Sequence, residues 1–184
     1  MIYNVEQLRR AYQAGGRFKY MMFWGHTPPA DGTLNASCFS QWWKCSFEIE
    51  GVTYSCTEQY MMAEKARLFE DEEMLEKIPE ARHPKEMKAY GRAVKGFDQQ
   101  LWEQQRYDIV KRGNVAKFTQ NQDLGQVLMN TKQRILVEAS PRDRIWGIGL
   151  GKSNPDAENP MKWRGQNLLG FALTEVRDQM VASR

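Results

Sequence analysis

The chain has 184 residues, of which 41% are hydrophobic and 11% aromatic, a composition typical of a globular protein with a full core. Its 26 basic and 23 acidic side chains leave a net charge of +3, which is too small to indicate a nucleic-acid-binding surface by charge alone. The length predicts one domain.

The cysteines and histidines exclude several kinds of site. Cys38, Cys45 and Cys56 fit neither a disulfide framework nor a zinc spacing, so reduced thiols in a cytoplasmic protein are the simplest interpretation. Only His26 and His83 are present, without an HExxH or paired CxxC motif. We therefore predict no metal site and no cofactor. No apolar run has the length of a membrane span, and the amino terminus lacks a signal-peptide core, so no membrane partner is expected.

Helices dominate the predicted secondary structure, with a few short strands between them. Asn4, Asp71 and Asp98 each stand where an N-cap residue is expected. Apart from a helix that begins near residue 57, the predicted helices are 5–12, 72–79, 84–95, 99–118, 123–129 and 168–181. The predicted strands are 19–24, a hairpin over 47–54 with its turn at Glu50-Gly51, and 134–139. This inventory predicts an α+β fold, a single mainly helical domain packed around a small β-sheet.

A helix start near residue 57 holds the strongest candidate for chemistry. Ser55 and Glu58 have the spacing of a capping box, which predicts a helix that begins within a residue or two of Thr57. Glu58 then lies in the first helical turn, at the edge of an apolar stripe, with Lys65 two turns further along the same side. A carboxylate in this setting suits a reaction in a pocket. The local pattern alone, however, favours the simpler role of a helix cap.

The segment at 141–166 is predicted to be mostly loop, because it is rich in Pro, Gly, Asn and Trp. A loop of this length in a compact domain is more often functional than idle. Its glycine-rich stretch at 147–152 could bring backbone N–H groups close to a phosphate, although an ordinary flexible loop is the simpler interpretation. Trp24 and Trp146 each precede a glycine at the start of a loop, where an aromatic ring can stack on a base.

Eight short segments occur in a fixed order along the chain. They are Phe23-Trp24, Phe39-Ser40-Gln41-Trp42, Thr57-Glu58-Gln59-Tyr60, Ala63-Glu64-Lys65, Gly91-Arg92, Trp102, Asp143 with Trp146-Gly147, and Gly165-Gln166-Asn167-Leu168-Leu169-Gly170. This ordered set resembles the YbiA-like N-glycosidase family, also called the NADAR family after a proposed link to NAD and ADP-ribose. The resemblance runs from about residue 20 to residue 182. It implies one family domain over 1–184, in which 1–17 form an additional N-terminal helix. The segment at 154–163 is longer than in compact members.

The resemblance implies hydrolysis of the N-glycosidic bond between a ribose and a base. In the family, the glutamate that corresponds to Glu58 is the catalytic carboxylate. Its best-described substrates are early riboflavin-pathway intermediates, in which an amino-pyrimidine is attached to ribose 5-phosphate. Two alternatives remain: removal of ADP-ribose from modified guanine in nucleic acid, and a non-catalytic module that binds ADP-ribose. Glu58 argues against the module, because binding alone needs no carboxylate beside an anomeric carbon.

The same resemblance assigns roles to further residues. It associates Trp102, Asp143 and Trp146 with the active site, and Asp143 is the candidate second catalytic carboxylate, either as an acid or as an acceptor of a ribose hydroxyl. Lys65 and Arg92 could bind a phosphate. The remaining predicted substrate-binding residues are Phe23, Trp24, Ser40, Trp42, Tyr60, Gly147 and Asn167. The alternative for Lys65 and Arg92 is ordinary surface charge or ion pairing with Glu64 and Glu86.

Overall fold

The computed structural model describes residues 1–183, which form seven α-helices and four β-strands. The helices are α1 (Val5–Gln13), α2 (Thr57–Leu68), α3 (Glu72–Glu80), α4 (Pro84–Ala93), α5 (Gln99–Gln120), α6 (Gln122–Met129) and α7 (Leu168–Ala182). The strands are β1 (Tyr20–Phe23), β2 (Phe47–Ile49), β3 (Val52–Tyr54) and β4 (Ile135–Glu138). The mainly helical α+β fold that the sequence predicts is therefore confirmed. The chain divides into two compact units, Gln41–Gln122 and the remainder on either side.

The first unit consists of residues 1–40 and the chain from Asp123 onward. Its sheet is a parallel pair, in which Tyr20 of β1 lies opposite Ile135 of β4 and Phe23 opposite Glu138. Helix α7 packs on β4. Because the two strands are parallel, their carboxyl ends meet at one edge of the sheet and their amino ends at the other.

The long segment after β4 is ordered by backbone hydrogen bonds. The N–H of Gln166 donates to the carbonyl of Arg144 at 3.0 Å, and the N–H of Arg164 donates to the carbonyl of Ile148 at 2.9 Å. The 3-10 helix Pro160–Lys162 packs against α1. The segment is mostly without regular secondary structure, as predicted, but its two ends are paired.

The second unit is organised around α2, which packs against α3, α4 and α5. Two glycines permit this close packing. A Cβ on Gly91 of α4 would lie 1.9 Å from the sulfur of Met62, and one on Gly113 of α5 would lie 2.5 Å from the ring of Tyr60. The predicted hairpin is confirmed as an antiparallel β2–β3 pair.

Candidate active site

The helix that carries Glu58 begins at Thr57, as predicted, but the predicted capping box is wrong. The N-cap residue is Cys56, whose side chain makes no capping hydrogen bond. The backbone N–H and the hydroxyl of Ser55 both donate to the Gln59 side-chain oxygen, at 2.8 and 3.0 Å. Gln59 thus takes the donors of Ser55, and the helix starts one residue later than a Ser55 cap requires.

Glu58 lies in the first turn of α2 and is buried, with 5% of its surface exposed. Its backbone N–H donates to the carbonyl oxygen of Gln41 at 2.9 Å. The Thr57 hydroxyl donates to the same oxygen at 3.2 Å. The carbonyl oxygen of the loop residue Gln41 therefore fixes the first turn of α2. A buried glutamate requires a polar or charged environment, and such an environment is present.

Asn114, a buried polar residue of α5, is connected to this helix start through Gln41, and no sequence pattern predicts that contact. The amide nitrogen of Asn114 donates to the side-chain oxygen of Gln41 at 3.0 Å and to the Val110 carbonyl at 2.9 Å. Among residues 1–183, no hydrogen bond reaches the Gln41 amide nitrogen or the Asn114 amide oxygen. The signal in the sequence was a polar residue on the buried face of a long helix. Hydrophobic periodicity assigns no role to a single polar residue.

A buried lysine lies close to the same helix start. Lys117 is fully buried. Burial raises the pKa of the Cys56 thiol to about 11, and the Glu58 charge adds to this increase while the Lys117 charge opposes it. Glu58 and Lys117 therefore both lie close enough to the Cys56 thiol, at the start of α2, to change its pKa.

Lys65 and Arg92 form a second cluster in this unit. The Lys65 ammonium donates to the Gly91 carbonyl at 2.7 Å and lies 4.2 Å from the ring centre of Phe97 and 5.7 Å from that of Trp102. Burial lowers the pKa of Lys65, and the Arg92 charge lowers it further. Two cations that repel each other beside aromatic rings are suited to an anion.

The ion pairs considered as an alternative for Lys65 and Arg92 do not form. Glu64 pairs with two arginines, and Glu86 accepts hydrogen bonds from a backbone N–H and a tyrosine hydroxyl. These partners are Arg67 and Arg112 for Glu64, and Arg82 and Tyr90 for Glu86. Both glutamates are thus occupied elsewhere, and Arg92 is an exposed residue.

The predicted aromatic residues of this unit differ in accessibility. Tyr60 is fully buried among aromatic rings, and its hydroxyl accepts a hydrogen bond from Arg112. Trp102 is 9% exposed. Trp42 is half-buried, with its ring 6.3 Å from that of His83. Trp42 and Trp102 can present a ring edge or face, whereas Tyr60 has the contacts of a core residue.

In the first unit, Phe23 and Trp24 lie at the carboxyl end of β1 and differ sharply. Phe23 is buried and packs edge-on against Phe39, with ring centres 5.6 Å apart. Trp24 is 66% exposed. Ser40 is half-buried where the 3-10 helix Ala36–Phe39 ends. Of these predicted residues, Trp24 is the one with a free aromatic surface.

The segment after β4 holds Asp143 in a defined orientation. One carboxylate oxygen of Asp143 accepts hydrogen bonds from the backbone N–H groups of Ile145 and Trp146, both at 2.8 Å. Trp146 is half-buried. A Cβ on Gly147 would lie 2.8 Å from the Glu138 carbonyl, so only glycine fits there. Asp143 thus shapes the turn with one oxygen, and no hydrogen bond from the described residues reaches the other.

Asn167 connects α7 to β4. Its amide oxygen accepts from the Glu138 N–H at 2.9 Å, and its amide nitrogen donates to the Leu136 carbonyl at 3.0 Å. Asn167 is fully buried, in the left-handed backbone conformation that asparagine tolerates. Because both ends of the amide are used, these contacts are those of a structural residue.

Among residues 1–183, no group of three or more His, Cys, Asp or Glu side chains could hold a metal ion. None of the described helices combines the length and the apolar character that a membrane crossing requires.

A buried glutamate at a helix start lies in the same unit as two cations and several aromatic rings, on an α+β fold. The chain belongs to the NADAR family: the family model described as NADAR domain matches residues 22–181. The chain is 40% identical over 166 residues to N-glycosidase R617 of Acanthamoeba polyphaga mimivirus, a match that covers 88% of this chain and 96% of the relative.

Two further relatives extend the comparison. Protein irg-1 of Caenorhabditis elegans is 41% identical over 129 residues, which cover 69% of this chain and 61% of that protein. N-glycosidase YbiA of Escherichia coli K12 is 29% identical over 149 residues, covering 80% of this chain and 82% of YbiA. The NMR structure of E. coli YbiA superposes with a TM-score of 0.71 at 25% identity, over 91% of this chain and 88% of that one.

Proposed function

We propose that this protein is an N-glycosidase that hydrolyses the bond between a base and a ribose phosphate, with Glu58 as its catalytic carboxylate. The class of enzyme is supported by family membership and by two relatives that are named N-glycosidases. The observation that carries the residue assignment is the burial of Glu58 in the first turn of α2. A carboxylate removed from water interacts strongly with a charge that develops beside it.

The reaction breaks the bond between the anomeric carbon and a base nitrogen. The bonding electron pair leaves with the nitrogen, and positive charge develops on the anomeric carbon and the ring oxygen. Glu58 stabilises this cation and accepts a proton from the attacking water, whose oxygen bonds to the anomeric carbon. That proton is finally taken up by the departing base. The products are the free base and ribose phosphate.

The phosphate of this substrate is assigned to Lys65 and Arg92. Burial lowers the pKa of Lys65 and repulsion from Arg92 lowers it further, and a phosphate between the two cations relieves that repulsion. Arg92 offers two parallel N–H donors and Lys65 a compact charge. Phe97 and Trp102, which lie beside the Lys65 ammonium, limit its access to water. A singly phosphorylated ribose satisfies such a pair completely.

The remaining assignments rest on chemistry and accessibility. We propose Asp143 as the acceptor of a ribose hydroxyl, because one of its oxygens already holds a turn and an ionised carboxylate accepts through the other. We propose Trp24, Trp42 and Trp146 for stacking on the leaving base. Removal of ADP-ribose from modified guanine is the second candidate. A net charge of +3 gives little support for a nucleic-acid substrate.

Product analysis tests this function. The protein is incubated with a ribosyl-pyrimidine phosphate and, separately, with ADP-ribosylated DNA, and the products are identified by mass spectrometry. We expect release of the pyrimidine and ribose phosphate, with weak inhibition by free ADP-ribose and a kcat/KM that varies little with salt. A faster, salt-sensitive reaction on the modified DNA would instead favour the second candidate.

A further inference from the structure

A basic cavity lies in the first unit, at the amino ends of β1 and β4. Its volume is about 690 Å³, and it is lined by Phe18, Gln133 and four cationic residues. The four are Arg17, Lys19, Lys132 and Arg134. The backbone N–H of Ile135 donates to the Lys19 carbonyl at 2.9 Å, which brings the two chain segments together. The cavity is large enough for a small ligand.

No ion pair with another side chain of residues 1–183 neutralises the charges of this cavity. No aspartate or glutamate lines it. Among residues 1–183, none of the four cationic side chains is in an ion pair. Four like charges around one concave surface repel each other, and an anion of two or more charges removes that repulsion.

Lys132 adds an independent observation. Its backbone has φ +55°, in the left-handed region that glycine and asparagine occupy at lower cost. A lysine at this position retains backbone strain that a glycine would not have. Backbone outliers of this kind occur in turns and cluster at ligand sites, and the Lys132 side chain lines the cavity.

The cavity is separate from the residues proposed for catalysis in the same unit. Trp24 and Asp143 follow the carboxyl ends of β1 and β4, whereas Lys19 and Arg134 immediately precede the amino ends. Each strand has four residues and spans roughly 13 Å. A ligand in the basic cavity therefore lies across the sheet from that edge.

We propose that this cavity binds a diphosphate group, as in a nucleoside diphosphate or inorganic pyrophosphate, at a site distinct from the proposed catalytic residues. A concave surface with four cations fits a compact anion of high charge, whereas a polynucleotide backbone is better matched by a long exposed basic stripe. Phe18 offers an apolar surface beside the charges for the remainder of such a ligand.

Isothermal titration calorimetry of the full chain with inorganic pyrophosphate and with ADP tests the proposal. We expect a saturable site that is weakened by added salt and binds about tenfold more weakly in Lys132→Gly and in Arg134→Gln, as for the loss of one charge-assisted hydrogen bond. Lys132→Gly should also keep or raise the melting temperature, because it relieves the backbone strain. Loss of binding therefore cannot be attributed to unfolding.

Two control variants locate the binding. Lys85→Gln removes an exposed charge of α4 and should leave the affinity unchanged. Arg92→Gln should also leave it unchanged, which separates this site from the proposed phosphate pair. Absence of binding, equal weakening in Lys85→Gln, or weakening by Arg92→Gln alone would overturn the proposal. Tight binding of a single-stranded oligonucleotide that pyrophosphate does not displace would also overturn it.

Discussion

The backbone N–H of Glu58 donates to the carbonyl oxygen of Gln41 at 2.9 Å, and this bond ties the first turn of α2 to a preceding loop. The Gln41 side chain is held in turn by Asn114 of α5 at 3.0 Å. Glu58 is therefore positioned by a buried polar chain of contacts that reaches α5. Such contacts position a carboxylate more precisely than a solvated helix start does.

Asn114→Ala should weaken this positioning. It removes the only described hydrogen bond to the Gln41 side-chain oxygen and leaves a buried amide without that partner. We expect a loss of about 1–3 kcal/mol in the free energy of unfolding and a lower kcat with little change in KM. Urea unfolding and steady-state kinetics measure both. Gln105→Ala, on the exposed face of the same helix, is the control; an equal effect there would contradict the prediction.

Arg92→Gln should raise the pKa of Lys65 toward its ordinary value of 10.5. A neighbouring positive charge disfavours protonation, so its removal stabilises the charged lysine. Because the pKa is lowered in the folded protein, the unfolded chain binds more protons between the two values, and stability rises with pH in that window. The variant should reduce that rise. Titration of the Lys65 side-chain carbon signals by NMR measures the pKa; a lower value in the variant would contradict this account.

The same variant tests the proposed phosphate pair. Loss of the guanidinium should raise KM for a ribose-phosphate substrate about tenfold, as for the loss of a charge-assisted contact, with kcat changed by about twofold or less. The unphosphorylated nucleoside provides the control, because its KM should not respond. An equal increase in KM for both substrates would contradict phosphate binding at Arg92.

Gly170→Ala should destabilise the first unit. A Cβ at this position would lie 2.2 Å from the backbone carbonyl oxygen of Leu136, so α7 and β4 would have to separate. We expect a loss of about 1–3 kcal/mol or more. Gly151→Ala is the matched control, since its Cβ would meet nothing within 4 Å, and it should change stability by about 1 kcal/mol or less. Similar melting temperatures for the two variants would contradict the packing argument.

Treatment with a chelator should leave the activity unchanged. No metal-ligand spacing occurs in the sequence, and the proposed mechanism uses the Glu58 carboxylate and water alone. The measurement is turnover after extended dialysis against EDTA, compared with a mock-dialysed sample. Loss of activity that a divalent ion restores would mean that the mechanism lacks an essential component.

The sequence predicted those parts of the fold that depend on local chemistry. Asn4, Asp71 and Asp98 each accept a hydrogen bond at a helix start, as their positions indicated. The hairpin turn at Glu50-Gly51 has both residues in the left-handed region, which Gly51 favours. Local signals of this kind act within one turn of chain, so a single sequence is sufficient to read them.

The contacts around the site could not be predicted, because they join distant positions. Asn114 and Gln41 are 73 residues apart, and Lys65 and Gly91 are 26 apart. Periodicity places a side chain on a face of its own helix but does not identify what packs on that face. The failed capping box at Ser55 has a similar cause, since Gln59 competes for the same donors. The pairing of Lys65 with Gly91, and not with a glutamate, became visible only in the fold.

The most direct test of the central assignment is Glu58→Gln, with Glu72→Gln as the control for an exposed glutamate in the first turn of another helix. Single-turnover cleavage of a ribosyl-pyrimidine phosphate gives the rate of the chemical step, and urea unfolding shows that each variant is folded. We expect Glu58→Gln to be at least ~100-fold slower, as for the loss of a charged transition-state partner, and Glu72→Gln to match the parent. A folded Glu58→Gln protein with the parent rate would contradict the catalytic role of Glu58.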